Sequence, residues 1–296
     1  MMKRIFATWL SLAALFALVA NVEPARDFNG TTDRIDWAAP FVLGTGQAMT
    51  ISMWAFHDDC ATNADYLFDI HVSGDASHAI IFFCNPVASP PTDDFYSVTI
   101  TGSTANFRRG ANATVTTGSW VHLAVTWDGT FTDFTTIHIY KNGTEISYLD
   151  AQGVNGITQN APTGSWAVGG RISDDLRNFD GKIAEPAFFT RVLTDAEIDL
   201  LSGTNPTQAP LSPNCLTPGP AWYPLNGLGG ETPHDEITGT TGTLDGTTVI
   251  AHPAVRYCME PFTFDIAPVV PPAGGGVGHL GGAHLGRAKT GGAHIP

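Results

Sequence analysis

Basic residues are scarce in this chain: 14 Lys and Arg stand against 28 Asp and Glu in 296 residues, for a formal net charge of −14. A nucleic-acid binder needs a basic footprint for the phosphates, and this balance supplies none. Charge of either sign is sparse at 14%, too little for a disordered or coiled-coil chain, whereas 43% hydrophobic residues can build a core. The chain has four cysteines and no Cys-x-x-Cys pair, so zinc-ribbon and thioredoxin-type readings have no support. It lacks Gly-x-Ser-x-Gly, His-Glu-x-x-His and phosphate-loop patterns. Its longest apolar stretch, Ile5 to Ala20, spans 16 residues, short of the ~20 that cross a bilayer.

That stretch follows Met1-Met2-Lys3-Arg4 and leads into Leu18-Val19-Ala20, before Asn21 and Glu23. Basic start, apolar middle and small exit form the secretory pattern, so residues 1–20 are expected to be a signal peptide, leaving no stable membrane span after removal. The cysteines agree with an exported protein. Cys60 with Cys84 and Cys215 with Cys258 is the expected pairing, and four free buried thiols are the alternative. Cys84 ends the apolar stretch Ala79 to Phe83 and Cys60 follows the strand ending near Phe56, so two strand ends can bring them together.

From residue 28 to 193 short strands alternate with Gly, Asn, Asp and Thr. Met49 to Phe56, Trp120 to Trp127 and Thr136 to Tyr140 have a period of two, the mark of strands with one buried face. Asn142-Gly143 between Tyr140 and Ile146 predicts a type I′ hairpin. Thr194-Asp-Ala-Glu197 is a capping box, with Leu193 and Ile198 placed as a hydrophobic staple and Gly203 as the stop, which predicts one short helix. The fold class is therefore all-β, an antiparallel sandwich with one short helix. Residues 204–220, rich in Pro, Ser and Thr, read as a linker. Residues 221–262 read as a small β appendage held by Cys215 and Cys258. Residues 263–296, with near-repeats Gly281-Gly-Ala-His284 and Gly291-Gly-Ala-His294, read as a flexible Gly/His/Pro tail able to engage an assembly partner.

The order of these pieces carries a resemblance. Phe28-Asn-Gly-Thr-Thr-Asp33, Thr50 to Trp54, Trp120 to Gly129, Ile139 to Gly143, and Phe179-Asp-Gly-Lys-Ile-Ala-Glu185 leading into Phe188 to Ile198 follow one another as in a laminin-G-like domain. The stretch resembles the laminin-G-like branch of the concanavalin A-like lectin/glucanase superfamily over residues 28–203, within an expected sandwich domain of residues 21–203. The resemblance implies a two-sheet jelly roll in an exported or surface protein that binds a glycan or a surface protein. It also implies a structural calcium in some members, for which Asp33 and Asp180 are the candidate ligands; Ala184 departs from the Asp that relatives place before Glu185. Both aspartates would serve equally well in turns. The glucanase signature Glu-x-Asp-x-x-Glu is absent, and Glu231 and Glu236 have the wrong spacing, so the chain reads as non-catalytic.

Ligand contacts are expected in the loop Arg171-Ile-Ser-Asp174-Asp175-Leu-Arg177-Asn178, where donors and acceptors cluster. Trp54, Trp120 and Trp127 fall at core positions, while Trp37 and Trp166 are candidates for a sugar-stacking surface. His122 and His138 lie within strands and read as packed or solvent-facing; His279, His284 and His294 sit in the tail, where spacing sets no metal geometry. The expectation is a secreted or surface binding module for a glycan or protein. The alternatives are a structural component decorating a virion or cell surface, and a divergent glycoside hydrolase.

Overall fold

A computed structural model describes residues 24–37, 44, 46–60, 64–71, 78–86, 94–101, 105–130, 135–152, 165–172, 177–204, 209–221, 224–225, 234–235, 242–251 and 255–256. The expected signal segment 1–20, the expected tail 263–296, and Asp174, Asp175, Glu231, Glu236 and Cys258 lie outside these residues.

The strands are β1 (Pro24–Asn29), β2 (Arg34–Trp37), β3 (Met49–His57), β4 (Asp65–His71), β5 (His78–Asn85), β6 (Phe95–Thr101), β7 (Ala105–Gly110), β8 (Trp120–Trp127) and β9 (Ile137–Lys141). They continue with β10 (Thr144–Glu145), β11 (Tyr148–Gln152), β12 (Trp166–Val168), β13 (Asp180–Phe189), β14 (Pro224–Leu225), β15 (His234–Asp235), β16 (Thr243–Asp245) and β17 (Thr248–Ala251), and a helix α1 (Asp195–Ser202) follows β13. A seven-stranded sheet runs β10-β9-β8-β3-β13-β1-β17 and an eight-stranded sheet β11-β7-β6-β5-β4-β12-β2-β16. All the pairings in both are antiparallel, as in a jelly-roll sandwich. Between the sheets lie Phe28, Ile35, Ile51, Met53, Phe68, Ile70, Phe82, Tyr96, Val98, Leu123, Val125, Trp127 and Phe188.

The period-two strands form where the pattern places them. The Asn142-Gly143 turn takes positive φ at both residues, 49° and 77°, as a type I′ hairpin demands. Helix α1 has both halves of its capping box, and Gly203 ends it in the left-handed conformation with φ 67°. One pattern carries more than it promised: β3 is buried on both faces except at Phe56, not on one. The outer face of its sheet is roofed by α1 and by residues 211–216, through Ala124, Tyr140, Ala187, Phe189, Leu193, Ile198, Leu201 and Leu216. Small polar outer residues meet this roof: Thr50 Oγ1 donates to the Arg191 carbonyl at 2.8 Å and accepts from the Leu193 amide at 3.0 Å.

The linker and the separate appendage are corrected by the pairing. β17 pairs with β1 and β16 pairs with β2, so the segment 243–251 adds one strand to each sheet. Residues 211–216 are part of the roof rather than a free linker. The reason is edge protection: β1 and β2 would otherwise expose unpaired backbone groups, and one short segment of two strands covers both. The opposite flank is closed the same way, because β10 edges one sheet and β11, three residues later, edges the other.

Candidate functional site

Five aspartates from four chain segments converge at one pole of the sandwich. Asp58 and Asp59 follow β3, Asp65 opens β4, Asp94 precedes β6 and Asp180 opens β13. Strand pairing assembles them. The Asp58 amide donates to the Asp180 carbonyl at 3.0 Å, and Asp65 pairs with Cys84, which pairs in turn with Tyr96. The expected bridge between Cys60 and Cys84 is present, with Cα atoms 6.4 Å apart, and it pins the Asp58–Asp59 turn to β5. Cys215 is also in a disulfide, while Cys258 lies outside the described residues.

The electrostatics of the pole are unbalanced. Asp65 is only 8% exposed, and Cys84 Sγ, 3.8 Å from its Oδ2, is a bridged sulfur with no hydrogen to give. Burial, then the charges of Asp180, Asp59 and Asp94, push the Asp65 carboxyl up to about 8. Burial also raises Asp180, followed by Asp58 and Asp59, with Lys182 pulling the other way. Lys182 is committed to Asp58 Oδ2 at 2.5 Å and reaches Asp27 Oδ1 at 3.8 Å.

The two expected calcium ligands have different surroundings. Asp180 joins the cluster, whereas Asp33 lies across the Asn29–Asp33 turn from it, with Asn29 and Asp27 as shared neighbours. Asp33 follows a turn in which Asn29 Oδ1 accepts the Thr31, Thr32 and Asp33 amides, and it packs against Gly246 of the β16–β17 turn. Burial raises Asp33, with Asp245 and Asp27 adding to the rise.

The predicted ligand loop splits likewise. Ile172, next to half-buried Arg171, donates its amide to Asp69 Oδ2 at 3.2 Å on the outer face of the eight-stranded sheet. Arg177 lies against the pole: its guanidinium is 5.7 Å from the Tyr66 ring centroid, and its carbonyl accepts the Tyr66 amide at 3.2 Å. Asn178 is buried and donates to the Thr31 carbonyl at 2.5 Å, which makes it a fastening between loops rather than a ligand contact. Trp166 and Trp37 are corrected outright. Both are core residues, at 2% and 0% exposure, so neither ring can stack on a sugar. Trp127 is buried as expected, while Trp54 and Trp120 pack together beneath the β17 side of the sheet with Ala25 and Ala184.

Asp58, Asp59, Asp65 and Asp94 escaped the sequence reading because 36 residues of chain and two strand pairings separate the first from the last. The available signal was the acidic pair directly before a bridged cysteine. Two other polar pairs are closed to ligands. Ser52 Oγ lies 3.0 Å from His122 Nε2, but each residue is 1% exposed, so this pair reaches no substrate. His57 meets the Tyr96 hydroxyl at 3.0 Å inside the core. Burial pushes both imidazoles down to about 3.

A cluster of carboxylates with a half-exposed rim can hold a hard cation or present acceptors to hydroxyl groups. Half-buried Phe83 packs against Tyr66 with centroids 5.5 Å apart, on the face of β4 and β5 opposite to Asp65 and Cys84. In the solved structures, the fold matches a native heptameric SAP-like pentraxin from Limulus polyphemus, with a TM-score of 0.54 and 14% identity over 78% of this chain and 97% of that one. It also matches a Bacteroides ovatus protein described as carbohydrate-binding, with a TM-score of 0.53 and 18% identity over 79% of this chain and 61% of that one. A search of curated proteins returns no match to this sequence. The family model for laminin-G-like domains of the concanavalin A-like lectin/glucanases superfamily matches residues 29–199, more than half of the chain, and the chain belongs to that superfamily.

Proposed function

We propose that this chain is an exported, non-catalytic carbohydrate-binding module that engages saccharide hydroxyls at the acidic pole with the help of calcium. The observation that carries the reading is Asp65, a buried carboxylate with no hydrogen donor among the described residues, facing Asp59, Asp94 and Asp180. Such a group calls for a proton or a cation, because burial of an uncompensated charge costs several kcal/mol by order of magnitude.

The donor set fits calcium, which takes oxygen ligands from flexible carboxylates. Asp59, Asp65 and Asp180 are the residues that would hold it. Bound there, the ion would supply positive charge and open positions for vicinal hydroxyls. The rest falls to the chain itself. The bridge between Cys60 and Cys84 holds Asp59 and Asp65 in register, and Lys182 keeps Asp58 engaged at the rim. The disulfides and the basic-apolar-small N-terminus support export.

A glycan array probed with the full chain, in calcium and again in chelator, tests the proposal. Binding to a saccharide class in calcium that fades in chelator supports it. Absence of any saccharide binding in both conditions overturns it.

A further inference from the structure

Beneath the pole, Cys60 Sγ, Cys84 Sγ and an Asp65 carboxylate oxygen all lie within 4.8 Å of one another, and all three residues are buried. With the bridge closed, neither sulfur is a thiolate, and Asp65 faces no hydrogen donor among the described residues. With the bridge open, the same three side chains offer two thiolates and a carboxylate. That is a donor set suited to zinc, which takes tetrahedral sites of thiolate, imidazole and carboxylate ligands.

We propose that opening the Cys60–Cys84 bridge turns this buried corner into a binding site for a thiophilic divalent cation, with both thiolates and Asp65 as ligands. The geometry does not depend on the S–S bond alone. Asp65 and Cys84 are cross-strand partners of β4 and β5, whose register also includes Tyr66 with Phe83 and Phe68 with Phe82. Cys60 is held from the other side, where the Asp58 amide bonds to the Asp180 carbonyl and the Cys60 amide donates to Asp59 Oδ1 at 2.7 Å. Backbone pairing therefore keeps the three ligands together once the sulfurs separate.

The chemistry balances with an external dithiol as reductant. The dithiol transfers two electrons and two protons to the bridge; the S–S bond breaks, Cys60 and Cys84 become thiols, and the dithiol closes into its own disulfide. Cation binding then releases both thiol protons to solvent. Two thiolates and one carboxylate around a 2+ ion leave a single negative charge, and a water or Asp59 can complete a four-coordinate shell. The oxidised corner suits a hard cation through oxygen ligands and the reduced corner a soft one through sulfur. The inference therefore stands whether or not calcium binds the oxidised form.

Cobalt(II) is the probe, because thiolate coordination gives it a charge-transfer band in the near ultraviolet and tetrahedral d–d bands in the visible. The full chain is titrated in its air-oxidised form and after purification under a dithiol. The expected result is one equivalent of thiolate-bound cobalt in the reduced form only, displaced by zinc and abolished in Cys84→Ser. In Asp65→Asn, with all thiols intact, affinity should fall by more than about tenfold. No charge-transfer band in the reduced protein overturns the proposal. A band that survives in Cys84→Ser also overturns it, since the ligands would then lie elsewhere. Loss of the near-ultraviolet circular dichroism on reduction does the same, because the site requires β4 and β5 to remain paired.

Discussion

Trp166 sits directly across the β12–β2 pairing from Trp37, and their rings stack 3.8 Å apart with planes 9° from parallel. The stack lies in the inter-sheet core, with Phe68 beyond it at 6.4 Å from Trp166. Truncating either ring removes a large buried contact and leaves a cavity. Trp166→Ala and Trp37→Ala should each lower stability by about 3–5 kcal/mol. Urea unfolding followed by fluorescence measures this. The fraction that remains folded should bind saccharide as the parent does, since neither ring reaches the surface.

Stability should depend on pH with opposing slopes. Asp65 is raised from 3.8 to about 8, so between these values the folded state holds a proton that the unfolded state has lost. Its contribution therefore weakens stability as pH rises from about 4 towards 8. His57 and His122 are lowered from 6.5 to about 3, so the unfolded state binds their protons first, and stability falls as pH drops below 6.5. In chelator-treated protein, Asp65→Asn should flatten the alkaline slope and raise stability at pH 8 by a few kcal/mol, on the order of the shift it removes. Denaturant midpoints from pH 4 to 9 give the test. An unchanged alkaline slope in the variant would contradict the burial of a lone carboxylate.

At the helix start, Glu197 takes two bonds from the Arg191 guanidinium, at 2.7 and 2.9 Å, and one from the Thr194 amide. The Arg191 bonds lead in pulling its carboxyl down to about 2. Its contribution is thus present above pH 4.5 and lost as pH falls towards about 2. Arg191→Gln should cost about 1–2 kcal/mol at pH 7, allowing for partial solvent screening, and the difference should vanish near pH 2. Thr194→Ala should cost about 1 kcal/mol through the lost cap. Thermal unfolding of both variants at pH 7, and of Arg191→Gln again at low pH, measures the differences.

Local chemistry was legible in the sequence, and long-range closure was not. The Thr194–Glu197 capping box, the Asn142-Gly143 hairpin and the Cys60–Cys84 bridge all act over short stretches of chain, and each reads from residue type and spacing. The period of two in β3 located a strand but not the roof over its outer face, because Thr50, Ser52 and Trp54 suit a covered face as well as an open one. Segment 243–251 read as part of an appendage because nothing local to it says that β1 and β2 need partners. The acidic pole has the same character. Asp180 was visible through its family position, whereas Asp65 gains its meaning from Cys84 across the strand and from Asp59 beyond the turn.

The β16–β17 turn should be the sensitive point of that closure. Gly246 has φ 76°, and a Cβ there would stand 1.9 Å from Asp33 Oδ1. A side chain therefore meets both an unfavourable backbone conformation and a buried carboxylate. Gly246→Ala should destabilise by more than about 1 kcal/mol and open residues 243–251 to proteolysis before the rest of the sandwich. Limited proteolysis with mass mapping would show it. Cleavage beginning elsewhere would mean that this segment is not the weak seam.

The central claim is that the pole formed by Asp59, Asp65 and Asp180 holds a cation that the binding function uses. Calorimetric titration of calcium into the full chain with the Cys60–Cys84 bridge intact tests it most directly. The account predicts one saturable site in the parent, and weakening by more than about tenfold in Asp180→Asn, a partly exposed position whose change leaves the fold in place. No calcium heat in the parent, or equal binding in parent and Asp180→Asn, would contradict it.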